Sequence, residues 1–284
     1  MTTAKVKIIT DSTCDMTQSE IEALGAVMVP LSVAFGPEVY YNGQLSPDQY
    51  WEKAQGPFWP KTSQPSAGAF EEAFGAQVEA GYEVVCLTLT AHHSGTFGNA
   101  TAVARKFGGM VSVVDSRSVS TGLAWQVMDA AKAAAEGWER QEIVTMVEGM
   151  GERTRLFAAL DTIENVRRGG RVSMLMPLLD RLMGVLDLKT VLTMAGGQLG
   201  LLTAARSFEG AITRVRDAAM AHAPLERIAI LHTRVPEKAS AFGDLLAEMA
   251  GLEREGVRVV EAGPVLACHA GPRVIGAFVL SKSA

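Results

Sequence analysis

Apolar runs of strand length alternate with helix-like segments through the first half of this chain, and small hydroxyls or aspartates follow the strand ends. Residues 6–10 form such a run and lead into Asp11-Ser12-Thr13. Thr17-Gln18-Ser19-Glu20 is a capping box that opens a short helix. Residues 26–35 read as a further strand. Ser46-Pro47-Asp48-Gln49 supplies a cap residue, a proline in the first turn and a glutamine at the third position, which predicts another helix start. A loop at 62–66 precedes a helix over 67–79. The strand 83–89, a loop through Thr96, a helix to Lys106 and a strand at 110–114 ending at Asp115-Ser116 follow.

Such alternation predicts a parallel α/β sheet of Rossmann-like type, whose ligands bind beyond the carboxyl ends of the strands. A long helical stretch over 118–153 separates the halves. Beyond it come an apolar segment at 156–160, the Arg167-Arg168-Gly169-Gly170-Arg171 turn and an apolar helix at 173–183. Strand-like stretches at 185–194 and 198–206 flank Ala195-Gly196-Gly197, a hairpin signal. A helix at 208–222, a strand at 227–232, a helix from Pro236 and strands at 257–262 and 274–280 complete the pattern. The expected organisation is a parallel α/β domain over 1–154 and an α+β domain with a mixed or antiparallel sheet over 155–284.

With 284 residues, 48% hydrophobic and 20% charged, the chain has ample material for a core. Its net charge of −5 argues against a nucleic-acid surface. Cys14, Cys86 and Cys268 are isolated, without the spacing of a disulfide framework or zinc knuckle. The first nine residues run into a strand-like segment without a signal-peptide core, and no run approaches a membrane span. The expectation is a cytoplasmic protein without stable membrane insertion.

Two loops carry the candidate chemistry. Thr62-Ser63-Gln64-Pro65-Ser66 and His93-Ser94-Gly95-Thr96 each place small hydroxyls just before a helix-like stretch. Hydroxyl donors, unpaired backbone N–H groups and a positive helix end suit a small oxyanion. Either loop can equally be a solvated cap for its helix. His92 and His93 beside Ser94 invite a Ser/His-type lipid or thioester hydrolase reading, the alternative function. The Gly-x-Ser-x-Gly elbow is missing, however, and adjacent residues are poorly placed to act as base and nucleophile. His269, followed by Ala270-Gly271-Pro272, is expected in a tight turn that could aim it into a cleft. Arg171 and Arg206 are candidate cations whose default is a solvated surface. Neither nucleotide fingerprint is present, and the histidines show no metal-ligand spacing.

The order of these motifs resembles the DegV family, the fatty-acid-binding proteins that serve as binding subunits of bacterial fatty acid kinase. The matching segments are Asp11-Ser12-Thr13-Cys14-Asp15, Val29-Pro30-Leu31, Thr62-Ser63-Gln64-Pro65, Ser94-Gly95-Thr96, Asp115-Ser116, Arg168-Gly169-Gly170-Arg171, Arg206 and His269-Ala270-Gly271-Pro272. The resemblance covers nearly the whole chain. It implies a long-chain fatty acid such as palmitate or oleate, its acyl chain in a tunnel between or beneath the two domains. The carboxylate would lie on Thr62 and Ser94 with His269 nearby. Arg171 and Arg206 would face an ATP-dependent kinase subunit or its phosphate. No catalytic residue, cofactor or metal is implied for this chain.

Several positions depart from the family pattern. Thr90-Ala91-His92-His93 precedes Ser94 where Ser-Ser-x-Leu is usual. Asn42 replaces an aspartate, Arg273 a small residue, and Leu188-Lys189-Thr190 an Ile-Lys-Pro.

Overall fold

A computed structural model describes residues 5–170 and 188–283. The chain divides into two compact units, Met1–Glu152 and Arg153–Ala284.

In the first unit, β1 (Val6–Asp11), β2 (Val27–Val29), β6 (Glu83–Thr88) and β7 (Val111–Asp115) form a parallel sheet in the order β2-β1-β6-β7. Successive side chains of a strand point to opposite faces, and a sheet covered by helices on both faces is apolar throughout. Ile8, Val85 and Leu87 accordingly pack with Leu123 and Val127 of α5 (Ser120–Ala135) and Ile143 and Val147 of α6 (Arg140–Arg153). Ile9, Val84 and Cys86 take the other face, against Phe70 and Phe74 of α3 (Ala67–Glu79) and Ala100 and Val103 of α4 (Thr96–Ala104). The predicted capping box is present at Thr17 for α1 (Gln18–Ala23), and the helix start predicted at Ser46 is a capping box as well, for α2 (Pro47–Ala54).

Two expectations for this unit need correction. The stretch 26–35 is two strands in different sheets, because Pro30 offers no N–H to a ladder and Leu31 donates its own to Ser12 Oγ at 2.9 Å. After that break, β3 (Ser32–Phe35), β4 (Glu38–Tyr41) and β5 (Lys61–Ser63) make a small antiparallel sheet in the order β4-β3-β5. The long helix expected over 118–153 is likewise two. Gly137 (φ 86°) ends α5 in a Schellman motif, with Gly137 N–H bonding the Ala134 carbonyl and Trp138 N–H that of Ala133.

The second unit is built on a six-stranded sheet. Its strands are β8 (Thr154–Leu160), β9 (Lys189–Ala195), β10 (Gln198–Ala205), β11 (Leu225–Thr233), β12 (Arg258–Glu261) and β13 (Val274–Ser281), in the order β10-β9-β8-β13-β11-β12. Only the β11–β12 pairing is parallel. The predicted hairpin is there: Gly196 and Gly197 both have positive φ, 56° and 82°, as a two-residue turn between twisted strands requires. One face of the sheet packs Phe157, Val191, Ile230 and Ile275 against α8 (Phe208–Met220) and α9 (Pro236–Ala250). Two short helices were not anticipated. The double-glycine turn is the end of α7 (Glu164–Gly169), and residue 269 lies on α10 (Pro264–Ala270). The helix expected at 173–183 and the first residues of the stretch at 185–194 lie outside the described residues.

All three cysteines are buried and stand outside any disulfide among the described residues. Burial pushes the Cys14 thiol up to about 12 and that of Cys86 well above its ordinary value.

Candidate functional site

The carboxyl ends of β1 and β6 meet at Asp11. This carboxylate is fully buried. Oδ1 accepts the Thr13 N–H at 2.9 Å and the Thr13 hydroxyl at 2.6 Å, and Oδ2 accepts the Leu89 N–H at 2.6 Å. Burial raises its pKa, against the opposing pull of those three donors. The bond to Leu89 fixes the start of the loop that carries Ser94. Asp11 thus does for the β6–α4 loop what a ladder hydrogen bond does inside the sheet.

That loop delivers Ser94 to the start of α4. Gly95 is the N-cap and has no side chain with which to cap, so Ser94 Oγ takes the Thr96 N–H at 3.2 Å and also shares a hydrogen bond with Thr96 Oγ1 at 2.8 Å. The contrast with α3 is informative. There Ser66 is itself the N-cap and accepts the Ala69 N–H at 3.1 Å. Of the two helix starts, that of α4 is the one arranged with hydroxyls beside an uncapped end, where the helix dipole favours an anion.

Thr62 sits in the middle of β5, opposite Val33 of β3. Cross-strand partners share a face, so Thr62 lies on the side of the small sheet that holds buried Val33, while its neighbours Lys61 and Ser63 are exposed. Its segment, expected as a loop throughout, is therefore a short strand before it turns at Gln64-Pro65. Two contacts tie that turn to the Ser94 turn. Asn99 Nδ2 of α4 donates to the Pro65 carbonyl at 2.8 Å. The Gln64 amide lies against Gly95 so closely that a Cβ there would clash with Oε1. Neither Asn99 nor the Gln64–Gly95 contact stood out from the sequence; the available signal was the lone amide side chain on the helix Thr96–Ala104.

In the second unit His269 lies in the last turn of α10, not in the tight turn expected for it. It packs on the end of α7, where a Cβ on Gly169 would stand 2.5 Å from Nδ1. Asn165 Nδ2 of α7 donates to the Cys268 carbonyl at 3.1 Å and joins the same two helices. Arg206 is exposed, just past β10 and before Ser207, the N-cap of α8. Arg171 lies outside the described residues. The structure thus brings the Thr62 and Ser94 segments together in the first unit and the Gly169 and His269 segments together in the second.

Residues 5–282 match the family model described as "Uncharacterised protein, DegV family". A DegV domain-containing protein of Deinococcus radiodurans is 34% identical over 98% of this chain and 99% of its own length. One from Streptomyces coelicolor is 31% identical, again over 98% and 99%. The chain belongs to the DegV family. Among solved structures, a DegV family protein of Thermus thermophilus described by its fatty acid binding superposes with a TM-score of 0.88 at 28% identity, covering 98% of this chain and all of that one. A fatty acid binding DegV family protein of Streptococcus agalactiae gives 0.87 at 25% identity, over 99% and 100%. A stearic acid-binding protein of Eubacterium ventriosum gives 0.85 at 25%, over 98% of both.

The departures from the DegV pattern have local explanations here. Asn42 Nδ2 donates to the Ser12 carbonyl at 3.0 Å, where an ionised aspartate would set oxygen against oxygen. Arg273 (φ 56°) pairs with Asp161 at 3.0 Å and lies 5.6 Å over the Phe208 ring, and Lys189 reaches the same carboxylate at 3.2 Å. His92 is exposed and His93 half-buried, with ring centroids 6.4 Å apart. Ser94, the nucleophile of the hydrolase alternative, bonds to Thr96 and not to a base. Among the described residues no group of His, Cys, Asp and Glu is arranged to hold a metal, and no helix is long and apolar enough to cross a membrane.

Proposed function

We propose that this DegV protein binds one long-chain fatty acid and presents its carboxylate to a separate, ATP-dependent kinase subunit in the cytoplasm. The carboxylate sits on the hydroxyls of Thr62 and Ser94 and the amino end of α4. Arg171 and Arg206 face the partner or the phosphate. A single observation carries the reading: the Ser94-Gly95-Thr96 turn opens α4 at a glycine N-cap that offers no side chain, and it is locked to the Thr62 segment through Asn99 and Gln64. Two hydroxyl-bearing segments so joined, at the carboxyl edge of a parallel sheet, form an oxyanion cradle. Family membership and fatty-acid-binding relatives of the same fold support it.

Magnitudes divide the labour. Each buried methylene contributes about 0.8 kcal/mol, whereas a charge-assisted hydrogen bond adds about 1.5–3 kcal/mol. The acyl chain therefore supplies most of the affinity, and the hydroxyls set its direction. The deciding experiment is denaturing extraction of the purified protein followed by mass spectrometry. A long-chain acid near one per chain is expected. Absence of lipid, together with no uptake of added palmitate or oleate, overturns the reading.

A further inference from the structure

Asn99 has its backbone in one half of the cradle and its side chain on the other. Its N–H bonds the Gly95 carbonyl at 2.9 Å, closing the first turn of α4, so its Cα is fixed relative to Ser94 and Thr96. Its side-chain amide crosses to the buried Pro65 carbonyl at 2.8 Å, three residues beyond Thr62. On its other side Thr62 is held by the β3 register. The Pro65 anchor is thus the hydrogen bond that ties the Thr62 segment to α4, beside the Gln64–Gly95 contact. The helix bodies do not depend on it, since Phe70 and Phe74 of α3 share one apolar cluster with Ala100 and Val103 of α4. Removing the amide should leave that packing in place and loosen the relation between the two hydroxyl segments.

We propose that Asn99 is a positioning residue for ligand binding: the hydrogen bond its amide donates to the Pro65 carbonyl sets the Thr62 hydroxyl in register with Ser94, so that both meet one carboxylate. The inference rests on the carboxylate assignment above. An orientation held before the ligand arrives lowers the ordering cost of binding. The effect should therefore appear in affinity and travel through Thr62. Gln64, lying over Gly95, closes the same seam from the other side but offers no hydrogen bond between the backbones of the two segments.

The test titrates delipidated full-length protein with oleate and follows thermal unfolding of each variant in parallel. Asn99→Ala should weaken oleate binding about three- to tenfold, the range of one lost hydrogen bond. Asn99→Asp should weaken it at least as much, because a carboxylate then faces the Pro65 carbonyl. It also supplies the comparison if the alanine variant does not fold. The distinguishing readout is the double variant. Added to Thr62→Ala, Asn99→Ala should cause little further loss, whereas a purely structural role would lower the unfolding midpoint without this dependence on Thr62. Unchanged affinity in both Asn99 variants, or losses that multiply with that of Thr62→Ala, overturns the positioning role alone. Wild-type affinity in Thr62→Ala overturns the carboxylate assignment and the positioning role with it.

Discussion

Gly169 and His269 approach so closely that a Cβ on residue 169 would stand 2.5 Å from the histidine Nδ1. The two belong to motifs a hundred residues apart, and the contact explains why the first needs a glycine before its turn. Gly169 is helical, so alanine there is conformationally favourable and its entire penalty is the collision. Gly169→Ala should change stability by no more than about 1–2 kcal/mol, because an imidazole can rotate. It should also move His269, seen as a shifted imidazole resonance. An unmoved resonance with intact stability would show that the helix ends separate instead.

Thr62→Ala and Ser94→Ala should each weaken fatty acid binding by about 1–3 kcal/mol, since a buried anion loses a donor. The double variant should lose less than the sum, because the two groups share one ligand. A titration series with fully additive losses would assign the two segments to separate sites.

Asp11 gives a pH signature of definite sign. Its folded pKa is raised by burial, from an ordinary 3.8. A carboxyl raised on folding contributes stability while protonated in both states and loses that contribution as pH rises through the folded value. The stability of the wild type relative to Asp11→Asn should therefore fall from acid towards neutral pH in urea unfolding measurements. A difference that instead grows with pH would mean that the three donors outweigh burial.

Arg206→Ala and Arg171→Ala should leave fatty acid affinity within about 0.5 kcal/mol, as expected of residues that engage the partner and not the ligand. Both should lose acyl-phosphate formation when a cognate kinase subunit and ATP are supplied. A folded arginine variant that no longer binds lipid would move that residue to the carboxylate.

Much of this fold is visible in local chemistry. Capping boxes at Thr17 and Ser46 and the Gly196-Gly197 turn announce their elements because each is decided within four residues. The segment at 26–35 misleads because hydrophobicity persists across Pro30, and only the missing N–H reveals the change of sheet. The short helices around Asn165 and His269 are hidden for another reason. Each is stabilised by the other, through Asn165 to the Cys268 carbonyl, and neither has a side-chain N-cap to mark its start. The hydroxyls of the proposed cradle stand out by type. The residues that join its halves, Gln64 and Asn99, could not, because their partners lie about thirty positions away.

The buried thiols give each unit its own clock. Cys14 and Cys86 belong to the first unit and Cys268 to the second, and all three are sealed from solvent. Only a thiolate reacts readily with an alkylating reagent, and burial holds Cys14 and Cys86 in the thiol form. Modification must await an opening of the surrounding structure. The order in which alkylated peptides accumulate under native conditions therefore reads out which half of the protein breathes first. Added fatty acid should slow whichever half closes around it.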